Sequence, residues 1–225
     1  MTQRQFLKTI GSGAALTALV LVGMFVTSPR GHAVGESNDA SRIQQGFAIA
    51  PVPLNLEGKN RALVGLGSYI VNAQGDCNGC HSAGPATEFA PGGNPYFSQP
   101  AKVNPATYLG GGRIFPPLVP GSPNNISRNL TPDRTGLPEG GHTFAEFVQI
   151  MRTGVDLDHL HPTCSSTVTT NCLPPPFDGD LLQVMPWPAF HSMTDRDLRA
   201  IYEYLRAVPC IAGPPAPSPL HNDCE

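Results

Sequence analysis

Apolar residues recur at helical spacing in three stretches of the chain, and nowhere do they alternate with polar ones for long enough to predict a strand. The first stretch runs from Lys59 to about Gln74, where Leu63, Leu66 and Ile70 form a stripe, Gly65 and Tyr69 an adjoining face, and Gly75 the stop. The second opens on Thr143, whose partner three residues on, Glu146, completes a capping box; Phe144, Phe147, Val148 and Met151 make the inner face and Gly154 ends it. The third has Thr194 as cap, Met193 and Leu198 placed as a hydrophobic staple, a stripe of Leu198, Ile201, Tyr202 and Leu205, and Pro209 beyond its end. Residues 34–58 show no period and read as an extended lead-in. Residues 82–141, with "PGGNP", "GGG" and "PGSPNN", and residues 155–184 read as long irregular excursions, of the kind that are functional or organised by something other than secondary structure. The class is mainly α with long loops.

The first 33 residues read as a secretory address. Arg4 and Lys8 form a positive start, Ile10 to Val26 is an apolar run, and Gly31 and Ala33 fit cleavage after Ala33. Left uncleaved, residues 10–26 would anchor the chain to a membrane. Gln3 stands where a twin-arginine signal has its first arginine, which points to general secretory export. Loss of Arg4, Lys8 and Arg30 from the 14 basic residues leaves 11 against 17 acidic ones, a net charge of −6, and argues against a nucleic-acid partner. With 24 glycines and 25 prolines in the chain, the core will be small, and six cysteines in an exported protein are the obvious reinforcement.

Two of those cysteines carry chemistry. "GDCNGCHSAG" sets Cys77 and Cys80 three apart with His81 directly behind. A thioredoxin-like thiol pair should follow a strand and open a helix, and here a helix precedes it. A structural zinc clip needs further ligands, and the next cysteines, Cys164 and Cys172, lie far on without a CxxC of their own. Cys-x-x-Cys-His is the attachment pattern of c-type haem, in which each thiol adds to a vinyl group and the histidine is delivered to the iron.

With "ALVGLGSYIVNAQGDCNGCH", "NLTPDRTG" at 129–136, "FVQIMRTG" at 147–154, "MPWPAF" at 185–190 and "MTDRDLRAIYEYLRAVP" at 193–209, the chain resembles the class I c-type cytochromes, in particular monohaem domains that serve periplasmic dehydrogenases. The resemblance runs from about Arg61 to Pro209. It implies a class I cytochrome c fold in which N- and C-terminal helices cross, with Gly65 permitting the close approach and Tyr204 near the crossing. It also implies a methionine as second axial ligand, although the stretch between His81 and that methionine is longer than in a minimal cytochrome. Met151 is accounted for by the inner face of the second helix and Met193 by the staple of the third; Met185 matches the Met-Pro ligand position. The expected site is therefore one covalently attached haem c on Cys77 and Cys80, with His81 and Met185 on the iron. His191, near Met185, is the runner-up; His142, His159, His161 and His221 read as solvated or hydrogen-bonded.

The domain plan that follows is a signal peptide (1–33), a lead-in (34–58), a cytochrome c domain (59–209) and a C-terminal tail (210–225). Sequence-local pairing of the other cysteines gives bridges Cys164–Cys172 and Cys210–Cys224. An iron closed by His and Met binds no substrate, so the expected function is a periplasmic electron carrier and not an enzyme. The resemblance implies a dehydrogenase as donor and a terminal oxidase or another cytochrome as acceptor. The competing readings are a haem enzyme or gas sensor with an open distal position, and a docking subunit of a dehydrogenase complex.

Overall fold

The computed structural model describes residues 31–158, 160, 166–167, 172–216, 218 and 220–225, with side chains from Asp39 onward. The chain is mainly helical. In order it forms α1 (Gly31–Ile49), α2 (Arg61–Tyr69), a π-helical turn (Ile70–Gln74), α3 (Cys77–His81), α4 (Pro85–Glu88), a 3₁₀ turn (Pro95–Phe97), β1 (Ile114–Phe115), β2 (Asn125–Ile126), α5 (Phe144–Thr153), α6 (Trp187–Phe190) and α7 (Asp195–Leu205). β1 and β2 pair antiparallel, Ile114 opposite Ile126.

Side-chain caps set the helix ends, two of them read from sequence, at Thr143 and Thr194, and a third, Asn60, that the sequence reading did not name. Asn60 accepts from the Leu63 amide, both halves of the Thr143/Glu146 box form, and Thr194 Oγ1 accepts from the Asp197 amide. Gly154 closes α5 at φ 71°, a left-handed position that suits glycine. The first long helix is not uniform: α2 stops at Tyr69 and continues as the wider π turn, which ends where the Gly75 amide bonds the Ile70 carbonyl at 2.8 Å.

Leu66, Ile70 and Val71 pack with Leu198, Ile201 and Leu205 of α7 and with Phe147 of α5 in one core. Burial of each such side chain contributes ~2 kcal/mol. The approach of α2 to α7 is set by Gly67, where a Cβ would lie 1.9 Å from the Ala200 carbonyl oxygen and 2.7 Å from Tyr204 Cβ. The glycine of that contact is thus Gly67, whereas Gly65 faces α1, where a Cβ would meet the Phe47 ring and Ile43. The two glycines lie two residues apart in α2 and serve different neighbours. Beside the first contact the Tyr108 hydroxyl donates to Asn72 Oδ1 at 2.6 Å and Asn72 Nδ2 donates to the Tyr204 hydroxyl at 3.1 Å, which leaves Tyr204 to donate to Tyr108 across 2.7 Å.

Most of the stretch read as an extended lead-in is helical. α1 fills 31–49 and lies against α2, with Ser68 Oγ donating to the Gly46 carbonyl at 2.7 Å. Its sequence carries a weak apolar period, and its order comes from packing, which a period search does not detect. The expected cleavage point after Ala33 falls within this helix; residues 1–30, including the apolar run 10–26, lie outside the described residues. Among the described residues no helix is long and apolar enough to cross a membrane.

The tail folds back. Cys210 and Cys224 form a disulfide with Cα atoms 5.7 Å apart, and buried Asn222 donates to the Thr131 and Pro132 carbonyls, while Asn129 Nδ2 reaches the Ile211 carbonyl at 2.7 Å. The tail thereby braces the "NLTPD" segment. Cys164 lies outside the described residues, and with it the expected Cys164–Cys172 pairing; Cys172 is disulfide-bonded.

Candidate functional site: a cavity walled by Cys77, Cys80, His81 and Met185

Cys77, Cys80 and His81 occupy a single helical turn, and residues three apart on a turn share a face. The turn begins abruptly because Asp76 adopts φ 44°, a left-handed conformation that aspartate tolerates better than most side chains. Both thiols are unbridged.

The excursion after His81 is organised by this turn. The Leu109 amide donates to Asn78 Oδ1 at 2.9 Å, the Gly111 amide to the His81 carbonyl at 2.8 Å, and the Arg113 guanidinium to the Gly79 carbonyl. Gly111 must be glycine: its φ is 71°, and a Cβ would lie 2.4 Å from the Arg128 carbonyl carbon. Backbone of 109–113 is thus wedged between the Cys-x-x-Cys-His turn and residue 128.

Arg128 then fixes the histidine. His81 Nδ1 lies 2.8 Å from the Arg128 carbonyl oxygen, which can only accept, so Nδ1 carries the proton and Nε2 is left with its lone pair. Burial lowers the imidazole's pKa, outweighing the backbone hydrogen bond, and keeps the ring neutral. The Arg128 guanidinium is held by two acids, Asp158 at 2.5 Å and buried Asp156. Burial pushes the Cys77 thiol up to about 12, with Asp76 and Cys80 adding to the rise. A thiol shuttle needs the opposite shift, so the redox-pair alternative loses its chemistry. Among the described residues no group of three or more His, Cys, Asp or Glu converges.

Met185 arrives from the other end of the chain. Trp187, the single tryptophan, packs on Gly154 so closely that a Cβ there would be 2.3 Å from the indole. Its Nε1–H donates to the Leu182 carbonyl at 3.1 Å, its own amide bonds the Met185 carbonyl at 2.8 Å, and the Leu182 amide bonds the Gly154 carbonyl at 2.7 Å. The loop 182–187 is thereby pinned to the end of α5.

Cys77, Cys80, His81 and Met185 line one cavity of about 400 Å³. Its wall is largely apolar, with Val71, Leu130, Phe147 and Leu205 among the contributors, and Asn125, Arg128 and Glu139 add polar groups. Met151 and Met193 line it too, so position on the wall does not by itself single out Met185. His191 does not line the cavity; its Nδ1 bonds the Arg152 carbonyl at 2.5 Å. His142 sits by Asp158 and His221 by the Pro214 carbonyl, both off the wall, while His159 and His161 lie outside the described residues.

Sequence reasoning missed Asn125, Arg128 and Glu139. The first two precede "NLTPDRTG" and the third follows it, in a stretch whose lack of periodicity gave no face to assign. It also passed over the Trp187–Gly154 contact, although both residues sit in the quoted motifs.

No family model matches the chain, and no solved structure does. Curated relatives do match. The cytochrome c subunits of quinone alcohol dehydrogenase from Gluconacetobacter polyoxogenes and Komagataeibacter europaeus are each 30% identical over 160 residues, which is 71% of this chain and 24% of theirs. The cytochrome c subunit of gluconate 2-dehydrogenase from Pantoea cypripedii is 28% identical over 148 residues, 64% of this chain and 23% of its own. The chain therefore spans about a quarter of the length of the curated relatives it matches. By sequence it is a relative of the cytochrome c subunits of dehydrogenases.

Proposed function

We propose that the chain is a monohaem class I c-type cytochrome that carries single electrons in the periplasm, from a dehydrogenase to a terminal oxidase or another cytochrome. The observation that carries this reading is the shared wall: a Cys-x-x-Cys-His turn and a Met-Pro loop, far apart in sequence, line the same apolar cavity.

The residues present fit a haem. The wall is largely apolar, as a haem requires, and it carries a polar group suited to a carboxylate: the buried Asn125 Nδ2, which has no hydrogen-bond partner among the described residues. An orphaned buried donor is costly unless a ligand's acceptor meets it. When bound, the haem supplies reversible one-electron exchange at its iron.

The chain's own residues do the rest. Cys77 and Cys80, unbridged and on one face of α3, are the attachment points. His81 presents Nε2 because Arg128's carbonyl holds the proton on Nδ1, a backing bond that orients a ligand and raises its basicity. Met185 supplies the second ligand, a thioether that favours the ferrous state and raises potential. Leu130, Phe147, Ile201 and Leu205 exclude water and keep the local dielectric low. A haem held by both His81 and Met185 would leave no position for substrate, which supports carriage and not turnover. The dehydrogenase donor is supported by the relatives, which are cytochrome c subunits of dehydrogenases.

Intact-mass spectrometry of the denatured protein tests attachment: the expected mass is the chain plus one haem, and a haem extracted by acid and organic solvent contradicts it. Potentiometric titration should then give a single one-electron wave.

A further inference from the structure

Glu139 has no use in the scheme above, yet it is built into the site. Its side chain lines the cavity, the residue is 6% exposed, and its backbone sits at φ 54°, a conformation that non-glycine residues seldom adopt. No hydrogen bond to its carboxyl exists among the described residues. The cation that acts on it is Arg128, and Arg128 is already engaged: Asp156 and Asp158 both pair with it. The triad of Arg128, Asp156 and Asp158 already carries one net negative charge before Glu139 ionises. His142 approaches Asp158 at 3.8 Å and Glu146 at 3.9 Å from the start of α5, and His81 shares the cavity as a neutral ring.

An ionised Glu139 would therefore add a negative charge to a largely apolar wall beside a group that already carries two acids on one arginine, a costly arrangement. Reduction of an iron in the same cavity adds one more. We propose that Glu139 takes up a proton when the iron gains its electron and releases it on oxidation, so that electron carriage is proton-coupled. This rests on the haem reading above. The step balances simply: an oxidised centre with Glu139 ionised, one electron from an external one-electron donor and one proton from water give a reduced centre with Glu139 neutral. Only an O–H bond forms.

The titration range is suitable. Burial raises the carboxyl to about 7, with Arg128 opposing and Asp158 and Asp156 adding to the rise.

The test uses the protein with haem attached. Wild type and Glu139→Gln are poised across about pH 5 to pH 9, a span that brackets the carboxyl's raised titration. Proton uptake on reduction by hexaammineruthenium(II) is followed with an indicator dye. The wild-type potential should fall as pH rises, approaching a tenfold change in the reduction equilibrium per pH unit, about 59 mV for one electron. It should flatten on either side. Glu139→Gln should show a flat potential and no uptake, and His142→Gln should keep the wild-type slope. An unchanged slope in Glu139→Gln, or its loss in His142→Gln, overturns the proposal. Should Glu139→Gln fail to mature, the reduced-minus-oxidised infrared difference of wild type decides: a protonated-carboxyl band growing on reduction supports the proposal, and its absence overturns it. Failure of the haem reading is distinct, because it shows as no covalent haem and no one-electron wave.

Discussion

The two segments that supply the candidate ligands are held in different ways. The Cys77–His81 turn is gripped through its backbone, with Leu109, Gly111 and Arg113 bonding Asn78, His81 and Gly79 and the Arg128 carbonyl holding the imidazole. The Met185 loop is held at one place, the end of α5, by Trp187 laid on Gly154 and the Leu182 amide on the Gly154 carbonyl, and Met185 itself stays half-buried. Many short backbone bonds make a segment hard to displace. A loop anchored at one helix end opens more easily. The comparison teaches that the histidine side should behave as scaffold and the methionine side as the adjustable wall.

The strongest way to break this contrast is at attachment. Replacing Cys77 and Cys80 together with alanine should abolish covalent haem altogether, read by intact mass, while Met185→Ala should leave the mass increment in place. Next, Gly111→Ala forces a Cβ to 2.4 Å from backbone and strains a positive φ; it should cost on the order of 3 kcal/mol in urea unfolding. Trp187→Ala should cost about 2 kcal/mol, below the range for fully buried tryptophan. Its sharper signature is ligand exchange: exogenous imidazole should bind the ferric protein more readily than it binds wild type, with no loss of covalent haem. Smallest is Thr143→Ala, which removes the cap of the helix that seats Trp187 and should cost ~1 kcal/mol in the same unfolding assay.

The same two sides differ in how legible they were. Cys77, Cys80 and His81 are read from five consecutive residues because the chemistry demands that spacing. Three helices were legible because caps and a period of 3.6 leave local marks at Thr143, Glu146, Thr194 and Leu198. α1 was not, because its order comes from Gly46 and Gly65 letting two helices meet, a contact between positions that no local window joins. Nor was the switch from Gly65 to Gly67 as the glycine facing α7, since a helix carrying both offers no sign of which neighbour lies on which side. The Arg128–Asp156–Asp158–Glu139 group was invisible for the same reason. It is assembled by irregular backbone, where the identity of each residue says little until the loop has closed around the Cys-x-x-Cys-His turn.

The central claim is that His81 and Met185 together close one iron. The most direct measurement is the far-red charge-transfer absorption of the ferric protein, which reports an iron–thioether bond, taken for wild type and for Met185→Ala, Met151→Ala and Met193→Ala. All three methionines line the cavity, so the series discriminates among them. The expected result is a band in wild type that survives in Met151→Ala and Met193→Ala and disappears in Met185→Ala, where carbon monoxide then binds the reduced protein. A band that persists in Met185→Ala, or a wild-type protein that binds carbon monoxide readily at neutral pH, would contradict the claim and leave the open-site haem protein in its place.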